Sequence, residues 1–171
     1  MIHDLPSGYK IVFIPKNGSS SVKAGLGWNY EKMAKNWHDK TEIPDEDKGK
    51  LVAIVRDPVE RFISCCTFMN TRIGQTDRDY LPETYAHFYD NYPEKFIKWH
   101  FRPQMDFIQN IDWFHKIYHL SELKEFFKDH GLGRLQHENK SQNKPEASKE
   151  VRDFVRKTYV QDYKMLSEIK K

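Results

Sequence analysis

Cysteine is scarce in this chain. Among 171 residues there are two, Cys65 and Cys66, side by side. Neighbouring cysteines rarely bridge each other, and a metal site would need further ligands of the same kind. Both fall in a helical apolar pattern, so they are expected as reduced thiols of a cytoplasmic protein. Long apolar runs are also missing. None approaches the roughly 20 residues that span a bilayer. The opening MIHDLPSGYK lacks the basic-then-apolar layout of a signal peptide. The expectation is a chain with no membrane span. Strong net charge is absent as well: +3 is too mild to argue for a nucleic-acid partner, and a local anion pocket would account for it. No low-complexity segment and no metal-ligand cluster is visible. What remains is 38% hydrophobic and 31% charged residues, a soluble globular profile long enough for one domain with a sizeable core.

Two buried-strand signals organise that domain. Ile11-Val12-Phe13-Ile14 is a continuous apolar run of the kind found in parallel strands covered on both faces. Pro15 ends it, because proline has no N–H to donate to a ladder. Lys16-Asn17-Gly18-Ser19-Ser20-Ser21 follows, and a helical pattern through Val22, Leu26, Tyr30 and Met33 predicts a helix from about Ser20 to Lys35. Leu51 to Val55 is the second run. It ends at Arg56-Asp57-Pro58, where Asp57 suits an N-cap and Pro58 the first helical turn. Val59, Phe62, Ile63, Cys66 and Met69 then recur at helical spacing. Strand, polar turn, helix, twice over, is the βαβ logic of a parallel sheet. A third strand is expected near Trp113 to Tyr118, then a helix from Glu122 to His130 capped by Ser121, and a last helix from Ser148 to Ile169. Residues 1–9 read as a lead-in.

Each polar turn offers anion chemistry. At the first, unpaired helix N–H groups, hydroxyls and Lys16 are all donors. The same residues also fit a plain helix capped by Ser19 or Ser20 with a solvated lysine nearby. The turn is not a Walker A loop, which places its glycines before a Lys-Ser/Thr pair. At the second, Arg56 follows a rigid strand and presents a planar fork suited to phosphate oxygens, while Arg61 can pair with Asp57 or Glu60.

Together, Ile14-Pro15-Lys16-Asn17-Gly18-Ser19-Ser20-Ser21 and Arg56-Asp57-Pro58-Val59-Glu60-Arg61-Phe62-Ile63-Ser64 resemble the two nucleotide motifs of the sulfotransferases that use 3′-phosphoadenosine 5′-phosphosulfate (PAPS). The likeness is closest to the carbohydrate sulfotransferase branch. It is supported by His100-Phe101-Arg102-Pro103-Gln104, by Trp113 to Leu123, and by Tyr159-Val160-Gln161-Asp162-Tyr163. The resemblance implies an α/β fold, a P-loop-like central parallel sheet flanked by helices, in a single domain over residues 1–171. It implies that PAPS is the co-substrate, adenosine 3′,5′-bisphosphate the product, and that no metal is required. Lys16 would stabilise the leaving phosphate oxygen. Asn17 and the backbone of Gly18, Ser19, Ser20 and Ser21 would bind the 5′-phosphate, and Arg56 with Ser64 the 3′-phosphate. A neutral histidine would take the acceptor proton; His38 is the first candidate and His100 the second. Lys40 and Arg102 read either as contacts for an anionic acceptor or as solvated charges. The loop His137-Glu138-Asn139-Lys140-Ser141 reads either as one that closes over the nucleotide, as the resemblance implies, or as an ordinary surface loop. The acceptor would be a hydroxyl-bearing small molecule or glycan. The chain is short for the branch and shows neither its membrane anchor nor its disulfides, which implies a bacterial or viral cytosolic version. Two other classes compete. One is a small P-loop kinase, against which stand the missing Gly-Lys-Ser/Thr and the lack of a clear Mg²⁺-binding carboxylate after a strand. The other is a non-catalytic module that binds nucleotides or polyanions.

Overall fold

Leu51-Val52-Ala53-Ile54-Val55 has no polar position, and in the computed structural model all five side chains are buried in one strand, β3 (Leu51–Val55). A strand without polar alternation needs cover on both faces. Both of its edges are paired in parallel. On one side lies β2 (Lys10–Val12), in register from Lys10↔Leu51 to Val12↔Ala53. On the other lies β4 (Phe114–His119), with Ala53 opposite Ile117 and Val55 opposite His119. β1 (Ile2–Asp4) pairs with β2 antiparallel, giving the order β1-β2-β3-β4. The sheet is therefore mixed, a parallel core with an antiparallel edge, where the sequence suggested a parallel sheet. Residues 1–9 read as a lead-in because three residues are too few to display a period; Pro6, Ser7 and Gly8 make the turn between β1 and β2. Gly8 takes a φ of 85° in that turn.

The structure describes residues 2–28, 42–73, 81–91, 95–135 and 145–169. They fall into two compact units, Met1–Arg56 with Gln104–Lys140, and Asp57–Pro103 with Ser141–Lys171. The α-helices among the described residues are α1 (Ser19–Gly25), α2 (Pro58–Ile73), α3 (Pro82–His87), α4 (Lys95–Phe101), α5 (Met105–Ile108), α6 (Leu123–Asp129), α7 (Lys149–Thr158) and α8 (Val160–Ile169). None is long and apolar enough to cross a membrane.

The first unit carries the sheet. Ile11 and Phe13, Val52 and Ile54, and Tyr118 cluster with Val22 of α1 and with Leu123, Phe126 and Phe127 of α6. Burying such side chains is the main favourable term in folding, about 25 cal/mol per Å² of apolar surface. α1 stops earlier than its periodicity suggests. Gly27 sits at a φ of 68° and its N–H bonds back to the Ala24 carbonyl at 2.9 Å, which turns the chain out of the helix. The remainder of the expected helix, beyond Trp28, lies outside the described residues. α6 is entered through a short 3-10 turn, Leu120–Glu122, and that turn is capped by the His119 side chain rather than by Ser121. The β1–β2 turn is tied to the end of α6. Ser7 Oγ lies 2.7 Å from His130 Nδ1, Tyr118 OH lies 3.2 Å from Nε2, and Tyr118 donates to Asp129 at 2.8 Å.

The second unit is helical. α2 begins as expected: Asp57 Oδ1 accepts the Glu60 N–H at 3.0 Å, with Pro58 in the first turn. Its core joins Phe62, Cys66 and Met69 of α2 to Tyr85, Phe101, Val151, Val155 and Tyr159. Cys65 and Cys66 are buried in α2 with no disulfide between them, and burial pushes the Cys66 thiol up. The single closing helix expected from Ser148 is two, α7 and α8, separated at Tyr159 (φ −107°, ψ 34°). The Tyr159 hydroxyl donates to the Phe101 carbonyl at 2.6 Å.

Candidate functional site

β2 and β3 are parallel neighbours, so the turns that leave their C-terminal ends are neighbours too. The Lys16 turn leaves one and Arg56 the other. Pro15 is buried and ends the ladder, and the backbone then reverses through two left-handed residues, Lys16 at φ 67° and Gly18 at φ 79°. Glycine adopts this conformation freely; a residue with a Cβ pays about 1 kcal/mol for it. A Cβ on Gly18 would also lie 2.9 Å from Leu120 Cδ1, so the end of that side chain would have to move. Gly18 is also the N-cap of α1, with no side-chain capping bond, so the alternative of a serine-capped helix is not what this turn uses. Ser19 and Ser21 are buried in the first turn of α1 and Ser20 is half-buried.

A buried carboxamide pair holds the turn in place. Asn17, 2% exposed, donates through Nδ2 to the Ile54 carbonyl at 2.9 Å and to Gln104 Oε1 at 2.7 Å. Gln104, 0% exposed, accepts the Arg56 N–H on the same Oε1 at 2.9 Å and donates from Nε2 to the Arg56 carbonyl at 2.9 Å. The orientations of both amides follow from these partners. Reversing Gln104 would set its NH₂ against two N–H donors, and reversing Asn17 would set two carbonyl oxygens together. The Arg56 guanidinium completes the ring, with Nη1 3.4 Å from the Lys16 carbonyl. Lys16 itself is half-buried. Asn17 Oδ1 is buried with no hydrogen-bond partner among the described residues, a cost of about 1–3 kcal/mol that the other bonds of the turn must offset.

One residue on α1 escaped the sequence analysis. Lys23 is fully buried, 5.0 Å from the centre of the Phe13 ring, and burial lowers its pKa to about 7. Its only signal in the sequence was a lysine two positions after the last serine of the turn. Gln104 was visible only as the last member of His100-Phe101-Arg102-Pro103-Gln104, with nothing to say which of the five turns toward the strands.

The structure thus gathers Lys16, Asn17, Gly18, Ser19, Ser20, Ser21 and Arg56 in one unit, joined by Gln104. Ser64 is half-buried on α2, in the other unit. His100 belongs to that unit as well. It lies on α4, 3% exposed, with its ring 5.0 Å from both Phe68 and Trp99. Arg102 is half-buried beside it in sequence. His38, Lys40 and the loop from His137 to Ser141 include no described residue of the first two, and of the loop only positions outside the described residues. Among the described residues no group of three or more His, Cys, Asp or Glu is placed to hold a metal ion.

Chemically, a turn with one lysine, three serines and several main-chain N–H groups, next to an arginine at the end of the neighbouring strand, can bind oxyanions and stabilise charge on them. Comparison with family models, with curated proteins and with solved structures finds no match for the chain.

Proposed function

We propose that this chain is a sulfotransferase that moves a sulfuryl group from PAPS to a hydroxyl acceptor, with a saccharide as the acceptor class. The observation that carries this reading is the meeting of the Lys16 turn and Arg56 in one buried hydrogen-bonded network. An adenosine 3′,5′-bisphosphate skeleton carries anionic groups at two ends, and a pair of adjacent cationic turns answers that requirement. In the reaction the acceptor oxygen bonds to sulfur as the bond from sulfur to the 5′-phosphate oxygen breaks. The electron pair stays on that phosphate oxygen, beside the Lys16 ammonium. The acceptor proton passes to a neutral histidine. His38 holds that role by its place between the two motifs; His100 is the second candidate, and its ring is enclosed by aromatic neighbours. Arg56 takes the 3′-phosphate, with Ser64 added by the resemblance alone. As in phosphoryl transfer, positioning and charge stabilisation do most of the work.

The enclosed His100 ring also favours a second reading, a nucleotide-binding module without turnover. Thermal unfolding with adenosine 3′,5′-bisphosphate, compared with ATP-Mg²⁺, tests both. A ligand at about 100 times its Kd adds ~2.7 kcal/mol of stability. Preference for the bisphosphate, with transfer from PAPS to an acceptor, is the expected result. Bisphosphate binding without transfer selects the module, and preference for ATP-Mg²⁺ selects a kinase and overturns both.

A further inference from the structure

We propose that Gln104 is a positioning residue whose side chain fixes the spacing between the two phosphate-binding turns, so that the site favours a ligand with two separated phosphates over one with a single phosphate. This rests on the sulfonucleotide reading above and adds to it a residue that reads the separation of charges rather than a charge.

The geometry behind this is specific. Gln104 bonds both the N–H and the carbonyl of Arg56, at 2.9 Å each, as a neighbouring strand would. Two bonds, one to the N–H and one to the carbonyl of the same residue, fix the backbone on both sides of the Arg56 Cα, where one would leave a hinge. The same Oε1 accepts Asn17 Nδ2 at 2.7 Å, so one carboxamide touches both turns. Gln104 is 0% exposed and contributes no charge. It stands where the chain re-enters the sheet unit, and Arg56 stands where the chain leaves it. The β2–β3 pairing and the Asn17 bond to the Ile54 carbonyl hold the strand, and Gln104 bonds the Arg56 main chain to the Lys16 turn. The Arg56 guanidinium reaches the Lys16 carbonyl at 3.4 Å, the limit of a hydrogen bond. That guanidinium is the group a phosphate would recruit. Gln104 therefore sets the Arg56 backbone from which the guanidinium extends, and adds no charge of its own. A bidentate ligand gains from such fixed spacing because the second phosphate binds at a high effective concentration, and that gain is lost when the spacing becomes loose.

The test measures Kd for adenosine 3′,5′-bisphosphate, 5′-AMP and 3′-AMP by calorimetry on the full chain, for wild type, Gln104→Met and Gln104→Glu. Gln104→Met keeps the volume and removes the bonds. The role predicts a bisphosphate affinity reduced about tenfold or more, with each monophosphate changed about threefold or less, as expected for loss of a bivalent advantage. Gln104→Glu supplies an internal control on folding. Its ionised carboxylate still accepts from Asn17 and Arg56 but sets an oxygen against the Arg56 carbonyl; its protonated form restores the donor. Relative to wild type at each pH, its bisphosphate affinity should recover as pH falls toward the carboxylate range, while the monophosphate ratios stay level. Equal losses for all three ligands, or retained preference for the bisphosphate in both variants, would overturn the role of Gln104 and leave the sulfonucleotide reading standing. A wild type with no preference for the bisphosphate would remove that reading and this role together.

Discussion

Buried polar side chains are used differently in the two units. In the helical unit they close off a helix end. The last carbonyls of α4 have no partner within the helix. That of His100 accepts Arg61 Nη2 at 2.9 Å and Cys65 Sγ at 3.2 Å, and that of Phe101 accepts the hydroxyls of Tyr159 at 2.6 Å and Tyr89 at 3.4 Å. In the sheet unit, Asn17 and Gln104 instead bond to a turn and a strand end whose own side chains, Lys16 and Arg56, are cations. The first arrangement satisfies backbone groups at a helix end. The second uses buried hydrogen bonds to tie the main chain at Arg56 to the turn that carries Lys16. Burial does not separate the two arginines; Arg61 and Arg56 are both buried, and Arg56 stands at a strand end next to the Lys16 turn.

Substitutions can break this contrast. The largest effect is expected from Lys16→Ala, which should lower kcat for sulfuryl transfer by about 10²–10³-fold, the size seen when a donor to a developing oxyanion is removed, with little change in the melting temperature. Arg56→Ala should weaken adenosine 3′,5′-bisphosphate binding about 10- to 100-fold, in line with loss of a charge-assisted hydrogen bond; titration calorimetry reads it directly. Tyr159→Phe is the counter-case. It removes a donor from the Phe101 carbonyl and should cost about 1–2 kcal/mol in urea unfolding while leaving nucleotide affinity unchanged. An affinity loss there would erase the distinction between the units.

Two smaller effects depend on pH. Burial lowers the Lys23 pKa to about 7 in the folded chain, from an ordinary lysine value of 10.5. Below about pH 7 it is protonated whether folded or not, and the burial penalty is present in full. Between 7 and 10.5 the unfolded chain binds more protons, so stability rises with pH. Lys23→Met should therefore stabilise the protein most at or below pH 7, with the gain shrinking toward pH 10. His130 is shifted down, first by burial. Its contribution is complete above the ordinary histidine value of about 6.5 and is lost as pH falls through the lower folded value. His130→Gln should flatten that acid limb in denaturant midpoints measured from pH 7.5 to 5.

Much of the sheet was legible because its signals are local. Leu51 to Val55 is apolar throughout, and the strand has those bounds. Asp57-Pro58 announced the start of α2, and Ser148 caps α7 through a bond to the Val151 N–H. β1 was not legible, since three residues carry no period, and neither was the interruption at Tyr159, which coincides with a hydroxyl reaching a carbonyl 58 positions away. At the candidate site, residue types at a strand end pointed to Lys16 and Arg56. The Asn17–Gln104 pair spans 87 positions and has no local signature. Long-range side-chain bonds depend on the finished fold, and periodicity contains no trace of them.

The most direct test of the central claim is calorimetric titration of adenosine 3′,5′-bisphosphate into wild type, Lys16→Ala, Arg56→Ala and the double variant. If one nucleotide bridges both turns, wild type binds one molecule per chain, and each single variant binds it more weakly. The double variant then loses less than the sum of the two, because removing either anchor already forfeits the advantage of the other. Full wild-type affinity in Arg56→Ala would contradict the claim.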